Sequence, residues 1–336
     1  MIYIRLYLTF WALIFVNFCF SQSIQVISTG QSASFRGLSV VSDKTVWVSG
    51  SKGTIGLSID GGINWSWSSI KGYENRDFRD IEAFDGQTAV AMAVAEPAVI
   101  LLTSDGAKTW KEVYHNSAKG MFLDAMDFSN NRHGLVIGDP VNGRFFMAET
   151  SNGGRSWKEL APSKLPAADS GEACFAASGT NLRTTGHNVA SFITGGLKSR
   201  LFWNGSPVLL PLLQGKETTG ANSLAVSPEN TDHEWIVVGG DFNDPGNRER
   251  NCAISRDGGK TWISPSNPPY GYRSCVEYIN EQRLITCGIN GVDVSLDRGI
   301  NWGSISSVGF HVCRKAKKGE AIFLAGPEGR LARLVW

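Results

Sequence analysis

The stretch SRDGGKTW, residues 255–262, decides the fold because its pattern recurs along the chain. Four further stretches share the order of Ser or Thr, one residue, Asp or Asn, two residues that are mostly Gly, two more residues and Trp: SIDGGINW (58–65), TSDGAKTW (103–110), TSNGGRSW (150–157) and SLDRGINW (295–302). The acidic position falls at Asp60, Asp105, Asn152, Asp257 and Asp297, so the intervals are 45, 47, 105 and 40 residues. The tryptophans are Trp65, Trp110, Trp157, Trp262 and Trp302. The long interval is about two periods and predicts one degenerate copy, the FWNGS around Trp203. Repeats of roughly 40 to 50 residues made of short strands indicate a β-propeller, in which each repeat is one four-stranded blade.

Strand-like segments between the repeats predict the number of blades. In the first repeat, FRGLSVV, TVWVSG, GTIGLSID and WSWSSI are four β segments separated by turn residues. Seven segments resemble first strands, and they begin at Phe35, Phe78, Phe122, Gly171, Ala221, Tyr272 and Phe310. The last unit has only three strands, so SIQVIST (23–29) is expected to supply the fourth and close the ring. The sequence therefore predicts an all-β protein, a seven-bladed β-propeller that forms a single domain over residues 23–336.

Composition and the N-terminus predict an exported protein. The chain has 336 residues, 42% of them hydrophobic, and a net charge of +1, which gives no reason to expect nucleic acid as a partner. Arg5 followed by the apolar run Leu6–Phe20 has the layout of a secretory signal peptide, with cleavage after Ser21 or Gln22. An uncleaved membrane anchor is the alternative. We expect a signal peptide over residues 1–22, no membrane span after cleavage, a periplasmic or extracellular location and a monomer.

The cysteines carry no recognisable chemistry. Five remain after cleavage, Cys174, Cys252, Cys275, Cys287 and Cys313, and their odd number leaves at least one thiol free. No pair has the spacing of a metal knuckle. We expect buried apolar thiols, with one disulfide near the C-terminus as the alternative, and no metal or cofactor.

The repeated motif resembles the Asp box, or BNR repeat, of sialidases and several other propellers. The spacing from Gly53 to Trp65, after an FRG strand, is most similar to that of the photosystem II assembly and stability factor family and its secreted bacterial relatives. The resemblance implies a seven-bladed scaffold with an assembly or binding role and an arginine patch. Some bacterial relatives carry an oxidoreductase label, but this chain has no Gly-x-Gly-x-x-Gly fingerprint and no haem or iron–sulfur cysteine motif.

The box residues are expected to be scaffold. The carboxylate accepts hydrogen bonds from N–H groups of its own turn, Gly supplies positive φ angles and Trp covers the junction between sheets. In a propeller the box lies in the hairpin between the third and fourth strands, on the face opposite the usual binding face. A ligand site in the boxes is the less favoured interpretation.

Charged residues are expected at the mouth of the central channel, on the other face. The seven first strands, taken in register, place one ring of side chains there: Arg36, Arg79 with Asp80, Asp124, Glu172, Asn222, Arg273 and His311. The hairpins between second and third strands open on the same face and add Asp139 and Asp241. Charges paired with one another at a solvated rim, and Asp in ordinary turns, are the alternatives. Asp241, Asn243 and Asp244 lack the spacing of a calcium loop.

Two classes of function fit this ring. The favoured one is a binding or assembly module that holds an anionic peptide, glycan or protein partner, because arginine suits carboxylates. Its predicted ligand-binding residues are Arg36, Arg79, Asp124, Asp139, Glu172, Asp241, Arg273 and His311. The other is a sialidase-like glycoside hydrolase, in which an arginine triad clamps the substrate carboxylate. Its candidate acid and base groups are Asp80, Asp124, Glu172 and Asp241. The sequence departs from sialidases in its seven blades and in FRGL (35–38) where they have FRIP, and no motif supports a nucleophilic Tyr272 beside Glu277 or Glu172.

Overall fold

A computed structural model describes residues 22–27, 30–185, 189–203, 206–228 and 233–336. The predicted signal peptide, apart from Gln22, lies outside these residues. Within them no helix has the length and apolar character needed to cross a membrane. The described chain consists of β-strands and their connections, with one short 3-10 helix at Pro162–Lys164.

Seven antiparallel sheets form the blades, and consecutive strands pair within each of them. The described chain begins with β1 (Ser23–Ile27). Blade 1 contains β2 (Phe35–Val40), β3 (Val46–Gly50), β4 (Thr54–Ser58) and β5 (Ser66–Ser69), and blade 2 contains β6 (Phe78–Ala83), β7 (Ala89–Ala93), β8 (Ala98–Thr103) and β9 (Lys111–Asn116). Blade 3 contains β10 (Leu123–Phe128), β11 (Gly134–Val141), β12 (Arg144–Thr150) and β13 (Lys158–Glu159).

The remaining blades include one irregular sheet. A short β14 (Glu172–Ala173) precedes blade 4, which contains β15 (Leu182–Thr185), β16 (Val189–Ile193), β18 (Arg200–Trp203) and β19 (Ser206–Leu209). Blade 5 contains β20 (Thr219–Val226), β21 (Trp235–Asp241) and β22 (Cys252–Ser255), with β14 and β17 (Gly195–Gly196) added beside β20 and a single bridge from Ile254 to Ile263 at its outer edge. Blade 6 contains β23 (Cys275–Tyr278), β24 (Leu284–Gly288), β25 (Gly291–Ser295) and β26 (Trp302–Ser306). Blade 7 contains β27 (Val312–Lys315), β28 (Ile322–Ala325) and β29 (Leu331–Val335).

The ring closes as the sequence predicts. Strand β1 pairs antiparallel with β29, from Ser23 opposite Val335 to Ile27 opposite Leu331, and completes blade 7. This pairing covers the backbone edge that β29 would otherwise leave open. The predictions of an all-β fold, seven blades and closure by the N-terminal strand are therefore confirmed.

Each Asp box forms the hairpin between the third and fourth strands of its blade. In the fifth-blade copy, Asp257 Oδ1 accepts hydrogen bonds from Ser255 Oγ and from the backbone N–H of Thr261, both at 2.9 Å, and Ser255 Oγ accepts one from the Gly259 N–H at 2.8 Å. The other four copies repeat the bond from the N–H four residues further on to the acidic position, including Asn152, whose Oδ1 accepts it at 3.1 Å. The predicted role of the carboxylate within its own turn is confirmed.

The second glycine of a box packs against the preceding blade. A Cβ atom at Gly154 would lie 2.6 Å from Val90 Cγ2, and one at Gly299 would lie 2.6 Å from Ile236 Cδ1. Both glycines also have positive φ angles, which a side chain would disfavour. The box tryptophans pack against the apolar clusters between blades, and Trp302 is only 1% exposed. The box thus joins neighbouring blades. Trp203 of the predicted degenerate copy ends β18, the third strand of blade 4, instead of following the hairpin, and its ring is edge-on to Trp235 at 5.5 Å.

The inner strand of blade 4 lies outside the segment that the sequence predicts. Strand β15 begins at Leu182, whereas the predicted segment starts at Gly171. Residues 174–181, which we call the plug segment, pass through the middle of the ring instead of forming a blade strand. Ser178 Oγ donates to the Ser274 carbonyl of the segment that leads into blade 6 at 2.7 Å, and Thr180 Oγ1 bonds Ser223 Oγ of blade 5 at 2.6 Å. The plug segment is therefore bonded across the axis of the propeller.

All five cysteines of the described chain are free and buried. Cys275 and Cys287 are directly opposite each other on β23 and β24, and Cys313 lies on the neighbouring β27. The prediction of buried thiols is confirmed, and the alternative of a disulfide near the C-terminus is wrong for this structure.

Candidate functional site

A β-bulge in four inner strands presents one side chain at the same mouth of the ring. The pairing of β2 with β3 passes from Phe35 opposite Gly50 to Gly37 opposite Ser49 and so skips Arg36. The equivalent bulged residues are Arg79 in β6, Asp124 in β10 and Asn222 in β20. Bulges redirect a side chain and are common beside functional sites. All four residues line one pocket of about 480 Å³.

The pocket has a cationic side on blades 1 and 2. Arg36 is half-buried, and its Nη1 donates to the Ala177 carbonyl at 3.2 Å. Arg79 lies beside it and is paired with Asp77, with 2.7 Å between Nε and Oδ2. Burial and the neighbouring Arg79 lower the pKa of Arg36, but a guanidinium keeps its charge in proteins. Among the described residues Arg36 forms no ion pair, so one partly buried guanidinium faces the pocket without a carboxylate bonded to it.

Two carboxyl groups lie on the adjacent wall, formed by blade 3. Asp124 is fully buried, and burial together with the neighbouring Asp139 raises its pKa well above the usual range. Burial also raises the pKa of Asp139 to about 6, while its Oδ1 accepts a hydrogen bond from the Cys174 N–H at 2.9 Å. At neutral pH the Asp139 carboxyl is therefore mostly ionised. Among the described residues neither carboxyl group forms an ion pair with Arg36 or Arg79.

Neutral polar groups complete the deep part of the pocket. His311 is 5% exposed and its Nε2 lies 3.1 Å from Ser34 Oγ. Burial, with Arg36 and Arg79 nearby, lowers the pKa of His311 to about 3, so the imidazole is uncharged. The Tyr272 hydroxyl donates to Asn222 Oδ1 at 2.8 Å. These groups bond one another and add no charge at neutral pH.

The plug segment forms the floor of the pocket. Residues 174–177 line it, together with Ala173. The segment is held from several blades, by Asp139 at the Cys174 N–H, by Arg36 at the Ala177 carbonyl and by Ser274 at Ser178. A Cβ at Gly179 would lie 2.3 Å from the Asp80 carboxylate, so the chain passes close against blade 2 as well. The pocket is therefore a closed cup and the channel does not run through beneath it.

Apolar side chains form the side of the pocket opposite the arginines. Phe242 follows β21 in blade 5, Ile289 follows β24 in blade 6 and Phe175 belongs to the plug segment. Phe242 meets Phe175 edge-on at 5.8 Å and Tyr272 edge-on at 6.3 Å. The mouth thus combines a cationic side with an aromatic and aliphatic one.

Another cavity, of about 400 Å³, lies beside Trp157 on the side of the Asp boxes. Its charged lining residues, Glu149 and Lys158, are exposed. It therefore lacks a partly buried guanidinium without an ion pair, the feature that distinguishes the pocket at the mouth. We take the pocket at the mouth as the candidate site.

The prediction that Arg273 lines the mouth is wrong. Arg273 is 0% exposed, its Nη2 lies 2.7 Å from Asp293 Oδ2, and its Nη1 donates to Asn290 Oδ1 at 2.6 Å. Cys275 pairs with Cys287, so the residue one step before it, Ser274, takes the position that Arg36 has in blade 1. Ser274, and not Arg273, lines the pocket. A slip of one residue in a strand turns each side chain to the other face.

Glu172 and Asp241 are likewise outside the pocket. Glu172 is bound by the Arg200 guanidinium, whose Nε lies 2.8 Å from Oε1, and by Thr194 Oγ1 at 2.5 Å. Asp241 ends β21, and its carboxylate accepts the Asn243 N–H at 2.9 Å and lies 3.6 Å from Lys216 Nζ. Both carboxylates have partners within the chain, which is the structural alternative that the sequence left open.

The catalytic alternative loses most of its proposed groups. Asp80 is buried beneath the mouth and accepts the N–H groups of Ile81 and Met126 at 2.9 and 2.8 Å, and burial raises its pKa to about 7. Of the four candidate acid and base residues only Asp124 lines the pocket. Burial raises the pKa of Tyr272, whose hydroxyl bonds Asn222 and no carboxylate among the described residues. The geometry therefore does not favour a sialidase-like mechanism.

The sequence predicts some of the residues that line the pocket and misses others. Arg36, Arg79, Asp124, Asp139 and His311 come together as predicted. Phe175, Phe242 and Ile289 were not foreseen, because they lie in the plug segment and in hairpin turns rather than at the repeated strand position. Phe242 follows directly after Asp241 in a hairpin that the sequence places at the mouth, and this neighbourhood is the one available signal. Among the described residues no group of His, Cys, Asp and Glu has the arrangement of a metal site.

Comparison with known proteins supports the scaffold. The family model "Photosynthesis system II assembly factor YCF48" matches residues 19–120. A search of curated proteins finds no significant match. The structure of YCF48 bound to D1 peptide is 15% identical, with a TM-score of 0.67 over 93% of this chain and 97% of that one. YCF48 from Cyanidioschyzon merolae is 15% identical, with a TM-score of 0.64 over 93% of this chain and 98% of that one. The Neurospora crassa Pan2 WD40 domain is 12% identical, with a TM-score of 0.61 over 90% of this chain and 89% of that one. The chain is thus a seven-bladed Asp-box propeller that resembles the photosystem II assembly factor family.

Proposed function

We propose that this propeller is a non-enzymatic binding module that holds a segment of a partner protein at the mouth, with an acidic group of that segment against Arg36 and Arg79. The main support is that the partly buried guanidinium of Arg36 forms no ion pair within the described chain. Arginine binds carboxylates through two parallel hydrogen bonds, and partial exclusion of water strengthens them. The similar structure described as YCF48 bound to D1 peptide supports a peptide as the ligand.

The size of the pocket agrees with an extended segment. A volume of about 480 Å³ accommodates a few residues of a peptide but not a folded domain. The closed floor keeps such a ligand at the mouth, where the hairpins of neighbouring blades contact a larger partner. A rigid propeller that binds one segment in this way would act as an assembly factor, because it positions its partner without altering it chemically.

The experiment compares binding of acidic peptides to two arginine variants. The full chain is screened on a peptide array and a glycan array, and the affinity of the best labelled peptide is measured by fluorescence anisotropy. Replacing both Arg36 and Arg79 with Gln is expected to weaken binding by roughly 100-fold, about 1.4 kcal/mol for each lost charged contact. Arg132→Gln, an exposed arginine in the β10–β11 hairpin on the opposite face, is the matched control and is expected to bind normally.

Undiminished binding by the folded double variant refutes the proposed role of the arginines. Binding to glycans alone, or hydrolysis of a sialylated glycan that depends on Asp124, refutes the peptide module in favour of the other candidate function. A circular dichroism spectrum and an unchanged unfolding midpoint establish that the variants are folded.

We also propose that the protein acts outside the cytoplasm after removal of residues 1–22. The support is the Arg5 and Leu6–Phe20 pattern of the sequence. Mass spectrometry of the protein expressed with its full N-terminus tests this. A mature chain that begins at residue 22 or 23 is the expected result, and an intact Met1 contradicts it.

A further inference from the structure

The apolar side of the pocket is more exposed than the fold requires. Phe242 is 39% exposed and Ile289 is 45% exposed, although both are large hydrophobic residues. Each lies in a hairpin between second and third strands, where polar turn residues are the usual choice. Single exposed hydrophobic residues need no explanation, but here two neighbouring hairpins place one each on the same pocket wall.

The ring of Phe242 is held in place from two sides. It meets Phe175 at an interplanar angle of 86° and Tyr272 at 77°. Edge-on contacts of this kind fix ring orientation. The exposed part of Phe242 is therefore a fixed surface, so a ligand that covers it loses little side-chain entropy.

Charge and apolar surface are arranged on opposite sides of one pocket. Arg36 and Arg79 belong to blades 1 and 2, whereas Phe242 and Ile289 belong to blades 5 and 6. In a ring of seven blades these pairs face each other across the axis. A ligand that fills the pocket must therefore present an acidic group on one side and a large apolar group on the other.

We infer that Phe242 and Ile289 form a specificity subsite for a Phe-, Leu- or similar-sized side chain of the bound segment, placed within a few residues of its acidic group. This inference rests on the proposed function, because it assigns the second half of the same site. Peptides match this chemistry, since one chain carries both groups at short spacing. The arginines set the charge that is bound, and the apolar subsite discriminates among acidic segments.

The test uses a positional peptide library with one fixed Glu. Fluorescein-labelled nine-residue peptides carry the central Glu in a Gly/Ser background, with Phe, Leu or Ala at each of the three positions on either side. The full chain is expected to prefer Phe or Leu over Ala at one position by about tenfold, within the range measured for filling an apolar pocket. Phe242→Ala is expected to remove that preference, so that the Phe, Leu and Ala peptides bind with similar affinity.

Two further variants separate this inference from the proposed function. Ile289→Ser tests the same subsite without altering the Phe242 packing. Leu209→Ala removes an apolar side chain that is 59% exposed on the outer strand of blade 4, and it is expected to keep the preference. Arg36→Gln is expected to weaken every peptide of the library.

The outcomes fall into distinct classes. If Arg36→Gln weakens binding while Phe242→Ala and Ile289→Ser both leave the Phe-over-Ala preference intact, the subsite is refuted and the binding function stands. Equal weakening of Phe and Ala peptides by Phe242→Ala also refutes it, since the ring then only supports the fold. If no peptide of the library binds, or if Arg36→Gln changes nothing, the proposed function itself fails and the subsite fails with it.

Discussion

Replacing Arg273 with Met should destabilise the fold without a direct effect on the pocket. The Arg273 guanidinium is fully buried and donates from Nε and Nη2 to Asp293 Oδ2 at 2.8 and 2.7 Å, and from Nη1 to the Tyr272 carbonyl at 2.8 Å. Met is similar in length but offers no donor. The Asp293 side chain, which is 0% exposed, then remains in the interior, and its one hydrogen-bond donor among the described residues is the Tyr270 N–H at 2.8 Å.

The expected loss is about 3–5 kcal/mol, the cost of leaving one charge of a buried pair uncompensated. Native domains are stable by only about 5–15 kcal/mol, so the variant should remain folded but lose a large fraction of its stability. A second substitution, Asp293→Leu, removes the unpaired carboxylate. The double variant Arg273→Met with Asp293→Leu should therefore be more stable than the single Arg273→Met variant.

Equilibrium unfolding in urea, followed by tryptophan fluorescence, measures these differences. Arg36→Met is the matched control, because Arg36 is only half-buried and makes one hydrogen bond, to Ala177. It should lose affinity for acidic peptides and keep its unfolding midpoint. A loss below about 1 kcal/mol for Arg273→Met, or a double variant as unstable as the sum of the two single ones, would show that the buried pair is not coupled as described.

Three further predictions concern the box, the carboxyl wall and ring closure. Ser255→Ala should lower the free energy of unfolding by about 1–3 kcal/mol, because the buried Gly259 N–H loses its acceptor. Ser255→Thr should be tolerated, since Thr103 and Thr150 fill this position in other boxes, and the urea midpoints of both variants test this. Affinity for an acidic peptide, measured by anisotropy, should rise as the pH falls from 7.5 to 5.5. The reason is that Asp139, with a pKa of about 6, becomes protonated and no longer repels the ligand. An unchanged pH dependence in Asp139→Asn would contradict this. Deleting residues 1–27 should lower the melting temperature and promote association through the open edge of β29, whereas deleting residues 1–22 should do neither. Equal melting temperatures and equal gel-filtration elution volumes for the two deletion variants would argue against closure by β1.

The repeat predicts the scaffold because the box is a local structure. Its hydrogen bonds join residues within eight positions, as where Ser255 and Thr261 both donate to Asp257. The spacing of the boxes can therefore be determined directly from the sequence. The second glycine is required by contact with the neighbouring blade, as at Gly154 against Val90, so the motif also records how blades pack. The number of blades and the choice of face follow from these local features.

The mouth is only partly predictable because it depends on register. Arg36, Arg79 and Asp124 were found because each is the bulged residue two places into a similar strand. The Tyr-Arg-Ser at 272–274 resembles the same pattern, but its pairing with β24 is displaced by one residue. No local feature distinguishes Arg273 from Arg36. The difference is the buried Asp293, twenty positions along the chain, which only the folded structure brings into contact.

Blade 4 explains why the pocket has a floor. The chain between β13 and β15 is longer than a blade connection requires, and the structure uses its excess as the plug segment. In the sequence this segment imitates an inner strand, because GEACFAAS has the same alternation of small and apolar residues. Its Ser178 is instead 0% exposed and donates to the Ser274 carbonyl, which leads into blade 6 and not into a blade adjacent to blade 4.

The plug segment also connects the two halves of the site. Its Cys174 N–H is held by Asp139 of blade 3, its Ala177 carbonyl by Arg36 of blade 1, and its Phe175 ring by Phe242 at the start of the blade 5 hairpin. The segment that fills the centre of the ring therefore also positions the cation and the aromatic ring of the site.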